Sequence, residues 1–105
     1  MKEISVSELK ALQDSGEDFQ LIDVREANEY EFANLGGELI PLSTVMANEG
    51  KISRDKKVIV HCRSGARSAN AILQLESAFG LENLYNLKGG ILAYADEIDN
   101  SIPKY

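Results

Sequence analysis

Val58-Ile59-Val60-His61-Cys62-Arg63-Ser64-Gly65-Ala66-Arg67-Ser68 is the stretch around which the rest of the chain organises itself. Three consecutive apolar, β-branched residues lack the alternation of a half-exposed strand. They match a strand covered on both faces, as in a parallel sheet, and put the centre of that sheet at residues 58–60. The strand runs straight into the sole cysteine of the chain. Apolar spacing resumes at Ala69, Ile72, Leu73, Leu75 and Phe79, which predicts a helix over residues 68–79 stopped by Gly80. Strand, short loop and helix in succession place Cys62 at the C-terminal end of a central strand, the edge where open α/β sheets bind ligands.

Outward from that unit, strands and helices alternate. Val6, Leu9 and Leu12 suit a short first helix opening at Ser7, with Ser5 and Glu8 offering a competing capping-box start, and Gly16 ends it. Phe19-Gln20-Leu21-Ile22-Asp23-Val24 reads as a strand. Residues 26–33 form a short helix whose Tyr30 and Phe32 are expected in the core or at its rim. Glu38-Leu39-Ile40-Pro41-Leu42 is a weaker strand, interrupted by its proline. Asn83-Leu84-Tyr85-Asn86-Leu87 gives another strand, and Gly89-Gly90 a tight turn into a last helix over residues 91–98. Residues 48–51 and those beyond Asp99 read as loops. The pattern is one α/β domain over residues 1–105, a mostly parallel central sheet flanked by helices.

Bulk properties narrow the function. A chain of 105 residues suits a single core. A net charge of −6 repels phosphate backbones and anionic bilayers, so neither nucleic acid nor membrane is an expected partner. No apolar run approaches the ~20 residues of a membrane helix, and the first residues lack a signal-peptide core, so the chain reads as cytoplasmic. It is taken to be a monomer. One cysteine fits a reducing compartment, excludes an internal disulfide and removes any resolving thiol. One cysteine and one histidine cannot build the usual four-ligand metal site, and the scattered carboxylates show no supporting spacing, so no metal is expected.

The acidic chain nevertheless sets Arg63 and Arg67 beside Cys62, a local positive pocket able to take a small anion. A loop between strand end and helix start can turn its backbone N–H groups inward as an anion nest, with the helix N-terminus adding partial positive charge. The thiolate is the reactive form of cysteine, and the helix end with the two arginines is expected to lower the thiol below its usual ~8.5. Gly65 lets the backbone curl, and Ser64 and Ser68 can donate hydroxyl hydrogen bonds. An isolated cysteine is more often an inert buried thiol beside solvated arginines. Apolar strand, Cys-x4-Arg loop and following helix together point instead to a functional one.

Three motifs in order resemble the rhodanese family across essentially the whole chain. They are Leu21-Ile22-Asp23-Val24-Arg25-Glu26 with Glu29-Tyr30, the stretch from Val58 to Ser68, and Leu87-Lys88-Gly89-Gly90-Ile91-Leu92-Ala93-Tyr94. The resemblance implies a sulfurtransferase that needs no cofactor, since each half-reaction is a displacement at sulfur. Cys62 would take a sulfane sulfur from a donor such as thiosulfate or a persulfide and pass it to cyanide, a thiol or a small sulfur-carrier protein. The backbone of Arg63, Ser64, Gly65, Ala66 and Arg67 would cradle the sulfur, and Arg67 would help to bind the anionic donor. The stretch from Gly89 to Asp99 with Pro103-Lys104-Tyr105 is especially similar to the rhodanese domains of molybdopterin and thiamine adenylating enzymes. The adenylating part is absent here, so the chain is a free-standing relative or an excised segment.

Other residues have plainer expected roles. Asp23 and Arg25 are expected to form a structural ion pair supporting the site, with Ser68 as a further supporting residue. His61 adjoins Cys62, but adjacent strand residues point to opposite faces, so it is expected to pack or hydrogen-bond rather than act as a base. The chain departs from the family at Asn34-Leu35-Gly36-Gly37-Glu38, in place of a His-Ile-x-Gly-Ala segment, and at Tyr94, in place of tryptophan. Both changes are expected to alter the pocket rim. A cysteine phosphatase or arsenate reductase is the nearest rival, but that loop has five residues between Cys and Arg against four here. The same residues would also suit a non-catalytic binding module or a thiol sensor.

Overall fold

The computed structural model describes residues 1–105. In chain order the elements are β1 (Glu3–Ile4), α1 (Val6–Ser15), β2 (Phe19–Asp23), α2 (Ala27–Phe32) and β3 (Glu38–Leu39). Two short 3-10 turns follow at Leu42–Thr44 and Glu49–Lys51, then β4 (Lys57–His61), α3 (Ala66–Phe79), β5 (Leu84–Leu87) and α4 (Gly90–Glu97). The five strands form one parallel sheet in the order β1-β5-β4-β2-β3. The run at residues 58–60 is therefore the middle strand, as its uninterrupted apolar character requires. No helix is long and apolar enough to cross a membrane.

Side-chain parity along β4 divides the core in two. Val58, Val60 and Cys62 face α3, packing with Ile22, Val24, Ala71, Ile72 and Leu75. Ile59 faces the opposite way into a second cluster with Leu9 and Leu12 of α1, Leu87 and Tyr94 of α4. Each face of the sheet thus buries its own set of aliphatic side chains, each such side chain contributing about 2 kcal/mol on leaving water.

Several element boundaries differ from the sequence reading. The first helix opens not at Ser7 but at Ser5, whose hydroxyl accepts from the Glu8 amide while the Glu8 carboxylate accepts from the Ser5 amide. The reciprocal pair satisfies two N-terminal donors, which Ser7 alone could not do. A two-residue strand, β1, precedes it, too short to carry a periodic signal. β3 stops at Leu39, before Pro41. α3 starts at Ala66 rather than Ser68, capped by Gly65 at φ 114°. Phe32 is more than half exposed, and its partner is Tyr105 at 5.8 Å, edge to face, rather than the core. Tyr94 is not at the rim. It is buried in the α1/α4 layer, and its phenol donates to Gln13 Oε1 at 2.8 Å.

Candidate active site

The sulfur of Cys62 lies where β4 gives way to α3, and its surroundings are set by backbone. The Gly65 amide donates to Sγ at 3.1 Å. What aims that loop inward is α4 on its far side. The amides of Ile91 and Leu92 donate to the carbonyls of Cys62 and Arg63 at 3.0 and 3.2 Å, tying those oxygens outward. This close approach explains the second glycine of Gly89-Gly90. A Cβ on Gly90 would lie 2.5 Å from the Arg63 carbonyl oxygen and 2.6 Å from that of Cys62, and its φ of 60° is left-handed. The double glycine is a turn, as expected, and also the point at which the last helix grips the cysteine loop.

Ser68, one turn into α3, is buried and places its Oγ 3.4 Å from Sγ. The same hydroxyl lies 2.5 Å from Asn86 Oδ1 and 3.1 Å from the Gly65 carbonyl. Asn86, from the neighbouring β5, donates its own Nδ2 to that carbonyl at 3.1 Å. One hydroxyl proton serves three acceptors. A neutral thiol can donate to Ser68 while Ser68 donates to Asn86, whereas a thiolate only accepts and recruits the hydroxyl proton for itself. Burial pushes the Cys62 thiol up. The Ser68 hydroxyl and the amides of Ser68, Gly65 and Ser64 outweigh it and hold the thiol below its ordinary value.

The two arginines have other partners. Arg67 donates through both terminal nitrogens to Glu29 of α2, at 2.7 and 2.8 Å. Glu29 is held down at about 2, first by those Arg67 bonds, against its burial, and then by the Glu26 amide and the Tyr105 hydroxyl. Arg63 is exposed, lies 5.1 Å from the centre of the Tyr105 ring and donates to the main-chain oxygen of Tyr105. The lowered thiol thus rests first on Ser68 and the amides at the start of α3, the helix-end part of the sequence reading, while Arg67, though bound to Glu29, still feels the Cys62 charge. Ser64 is exposed and contributes its amide; Ala66 opens α3.

Asp23 and Arg25 are fully buried and joined by an ion pair of 2.7 Å, with Arg25 Nε donating to both Asp23 oxygens. The remaining donors of Arg25 reach the Ala33 carbonyl at 2.7 Å and the Tyr105 hydroxyl at 2.9 Å. The pair therefore anchors the turn after β2 and the segment after α4, a structural role. His61 lies on the face opposite Cys62, fully buried, its Nε2 3.6 Å from Asp23 and without a hydrogen-bond partner. Burial, then the nearby Arg25, outweighs the attraction of Asp23 and keeps His61 low and neutral. Nothing joins it to Sγ.

Sequence reasoning gave Asn86 no role at the site, and it saw Glu29 and Tyr105 only as parts of motifs. Asn86 is a polar residue inside an apolar strand, a signal that could have marked it. Tyr105 carries no local signal.

A parallel α/β domain with its lone thiol among N–H donors at the end of the central strand defines the class to which its relatives assign the chain. The chain belongs to the rhodanese-like domain family, whose model matches residues 5–97. It is 34% identical over 105 residues to the probable adenylyltransferase/sulfurtransferase MoeZ of Mycobacterium tuberculosis, covering 97% of this chain and 26% of that protein. It is 32% identical to the adenylyltransferase and sulfurtransferase UBA4 of Candida glabrata, covering 87% of this chain and 24% of that protein. The chain thus spans about a quarter of the length of both relatives. Among solved structures it superposes on a rhodanese-related protein from Thermoplasma volcanium with a TM-score of 0.81 at 31% identity, over 93% of this chain and 94% of that one.

Proposed function

We propose that this domain is a sulfurtransferase in which Cys62 carries the sulfur as a persulfide. The observation that carries the reading is the convergence of the Gly65 amide and the Ser68 hydroxyl on Sγ, within a loop whose carbonyls are tied away. Such a ring favours a negatively charged terminal sulfur on Cys62 as it favours the thiolate, because its donors are fixed before the charge arrives.

In the first half-reaction the Cys62 thiolate attacks the outer sulfur of the donor. A new S–S bond forms, the donor's own S–S bond breaks, and the leaving group departs with that electron pair, as sulfite from thiosulfate or as thiolate from a persulfide. In the second, cyanide or an acceptor thiol attacks the terminal sulfur and releases Cys62. No resolving cysteine exists in this chain, so the acceptor is another molecule. A small sulfur-carrier protein is one such acceptor, in keeping with the sulfurtransferase names of MoeZ and UBA4. A lone thiol that must stay reduced suits the cytoplasm.

Intact-mass measurement after treatment with thiosulfate or an alkyl persulfide tests the proposal. Wild type should gain one sulfur atom, and Cys62→Ala none. A wild-type protein that stays unmodified with both donors overturns it, and phosphate release from an aryl phosphate would favour the phosphatase reading.

A further inference from the structure

The rim of the site carries a chain of alternating charges that sulfur transfer does not itself require. From inside outward it runs Asp23, Arg25, the Tyr105 hydroxyl, Glu29 and Arg67, with links of 2.7, 2.9, 2.7 and 2.7 Å. The two carboxylates cancel the two guanidinium groups. Glu29 is also fixed in place. Besides both Arg67 nitrogens it accepts from the Tyr105 hydroxyl, and its Oε1 accepts from the Glu26 amide at 3.0 Å. Four donors on one carboxylate leave it no reason to swing aside, and held at about 2 it stays ionised at every working pH.

Resting on the sulfurtransferase reading, we propose that Glu29 is a specificity-determining residue for the sulfur donor. By occupying the Arg67 guanidinium it withholds that cation from a dianion such as thiosulfate and biases Cys62 towards alkyl persulfides. A thiosulfate ion approaching Arg67 meets a carboxylate already on both nitrogens, and its departing sulfite carries two negative charges past the same group. Arg63, the cation left over, is stacked on Tyr105 and bound to its main-chain oxygen. An alkyl persulfide needs no such partner. Its outer sulfur enters the amide ring, and its leaving thiolate carries one charge that a water proton can neutralise. Like-charge opposition of this kind discriminates between ligands more than it tightens any one of them.

The experiment measures the rate of sulfur loading on Cys62 by intact mass with two donors, thiosulfate and the persulfide of an uncharged thiol. Wild type is expected to load faster from the persulfide. In Glu29→Gln the thiosulfate-to-persulfide rate ratio should rise by about tenfold, the scale of one removed like charge near a site. Adding Arg67→Gln to that variant should abolish the gain. An unchanged ratio in a folded Glu29→Gln protein overturns donor selection. Should Glu29→Gln fail to fold, the shorter Glu29→Asp, which draws the carboxylate back from Arg67, decides. A raised thiosulfate-to-persulfide ratio supports the proposal, and an unchanged ratio overturns it. Failure of wild type with both donors would instead remove the sulfurtransferase reading itself.

Discussion

The two sides of the site are built by different means. The cradle around Cys62 is made of main chain. β4 delivers the sulfur, Gly65 curls the loop, and the amides of Ile91 and Leu92 hold its carbonyls away. The rim is made of side chains brought from distant parts of the chain, with Glu29 and Tyr105 separated by 76 residues. A main-chain cradle specifies the atom to be held, because amide spacing is fixed by peptide geometry. A side-chain rim specifies what that atom arrives attached to, because its charges can be exchanged one at a time. On the proposed reading holding and choosing are separable in this fold, and substitutions on the two sides should fail differently.

The strongest test strikes the cradle through its clamp. Gly90→Ala forces a methyl to 2.5 Å from the Arg63 carbonyl oxygen at a left-handed φ, so chemical denaturation should show a loss of about 3 kcal/mol together with slowed sulfur loading. Wild-type stability and loading in that variant would break the claim that α4 shapes the loop.

Asn86→Leu leaves the Ser68 hydroxyl and the Gly65 carbonyl without their shared partner and should cost about 2 kcal/mol. Iodoacetamide alkylation followed against pH offers a sharper readout. The wild-type midpoint should fall below the ordinary ~8.5, and the variant's should lie lower still, because the Ser68 proton loses Asn86 as a competing acceptor and is freed for the thiolate.

His61 tests the buried base of the rim. Its folded pKa is depressed, so the unfolded chain binds the proton more readily and stability declines as pH falls below the unfolded value. Stability should fall as pH drops below about 6.5, by no more than about 1.4 kcal/mol per pH unit, and His61→Gln should flatten that slope in denaturant titrations.

The smallest effect belongs to Glu29. Its folded pKa lies below its unfolded one, so its contribution is complete above about pH 4.5 and is lost as pH falls towards 2. Glu29→Gln should therefore cost about 1 kcal/mol at neutral pH and almost nothing near pH 2, since a half-exposed guanidinium gains modestly from its partner. Donor preference should shift by about tenfold while stability falls by only about 1 kcal/mol, and a larger stability loss with an unchanged preference would blur the distinction between rim and cradle.

Legibility in the sequence follows the same division. The apolar run at 58–60, the glycine in the loop and the spacing along α3 are local patterns, and they led directly to a central parallel strand with Cys62 at its end. Parity along β4 placed His61 on the face away from Cys62, as found. What escaped was long-range. Nothing near Arg67 says that its guanidinium belongs to Glu29, so the two arginines shared the credit for the thiol's low pKa with the helix end, whereas Ser68 and the helix-start amides act first. Tyr94 looked like a rim residue because it follows the double glycine, yet the 3.6-residue period of α4 turns it inward against α1. β1 was invisible because two residues carry no period; its pairing with β5 is what makes it a strand.

The bonds from Ile91 and Leu92 to the cysteine loop also have a consequence in time. A ribosome releases Cys62 well before the residues that pin its carbonyls, and domains consolidate as their segments emerge. Until α4 docks, the thiol of a nascent chain lacks the arrangement that makes it acidic, and it behaves as an ordinary cysteine. The geometry around the sulfur is therefore completed only when the last helix is in place.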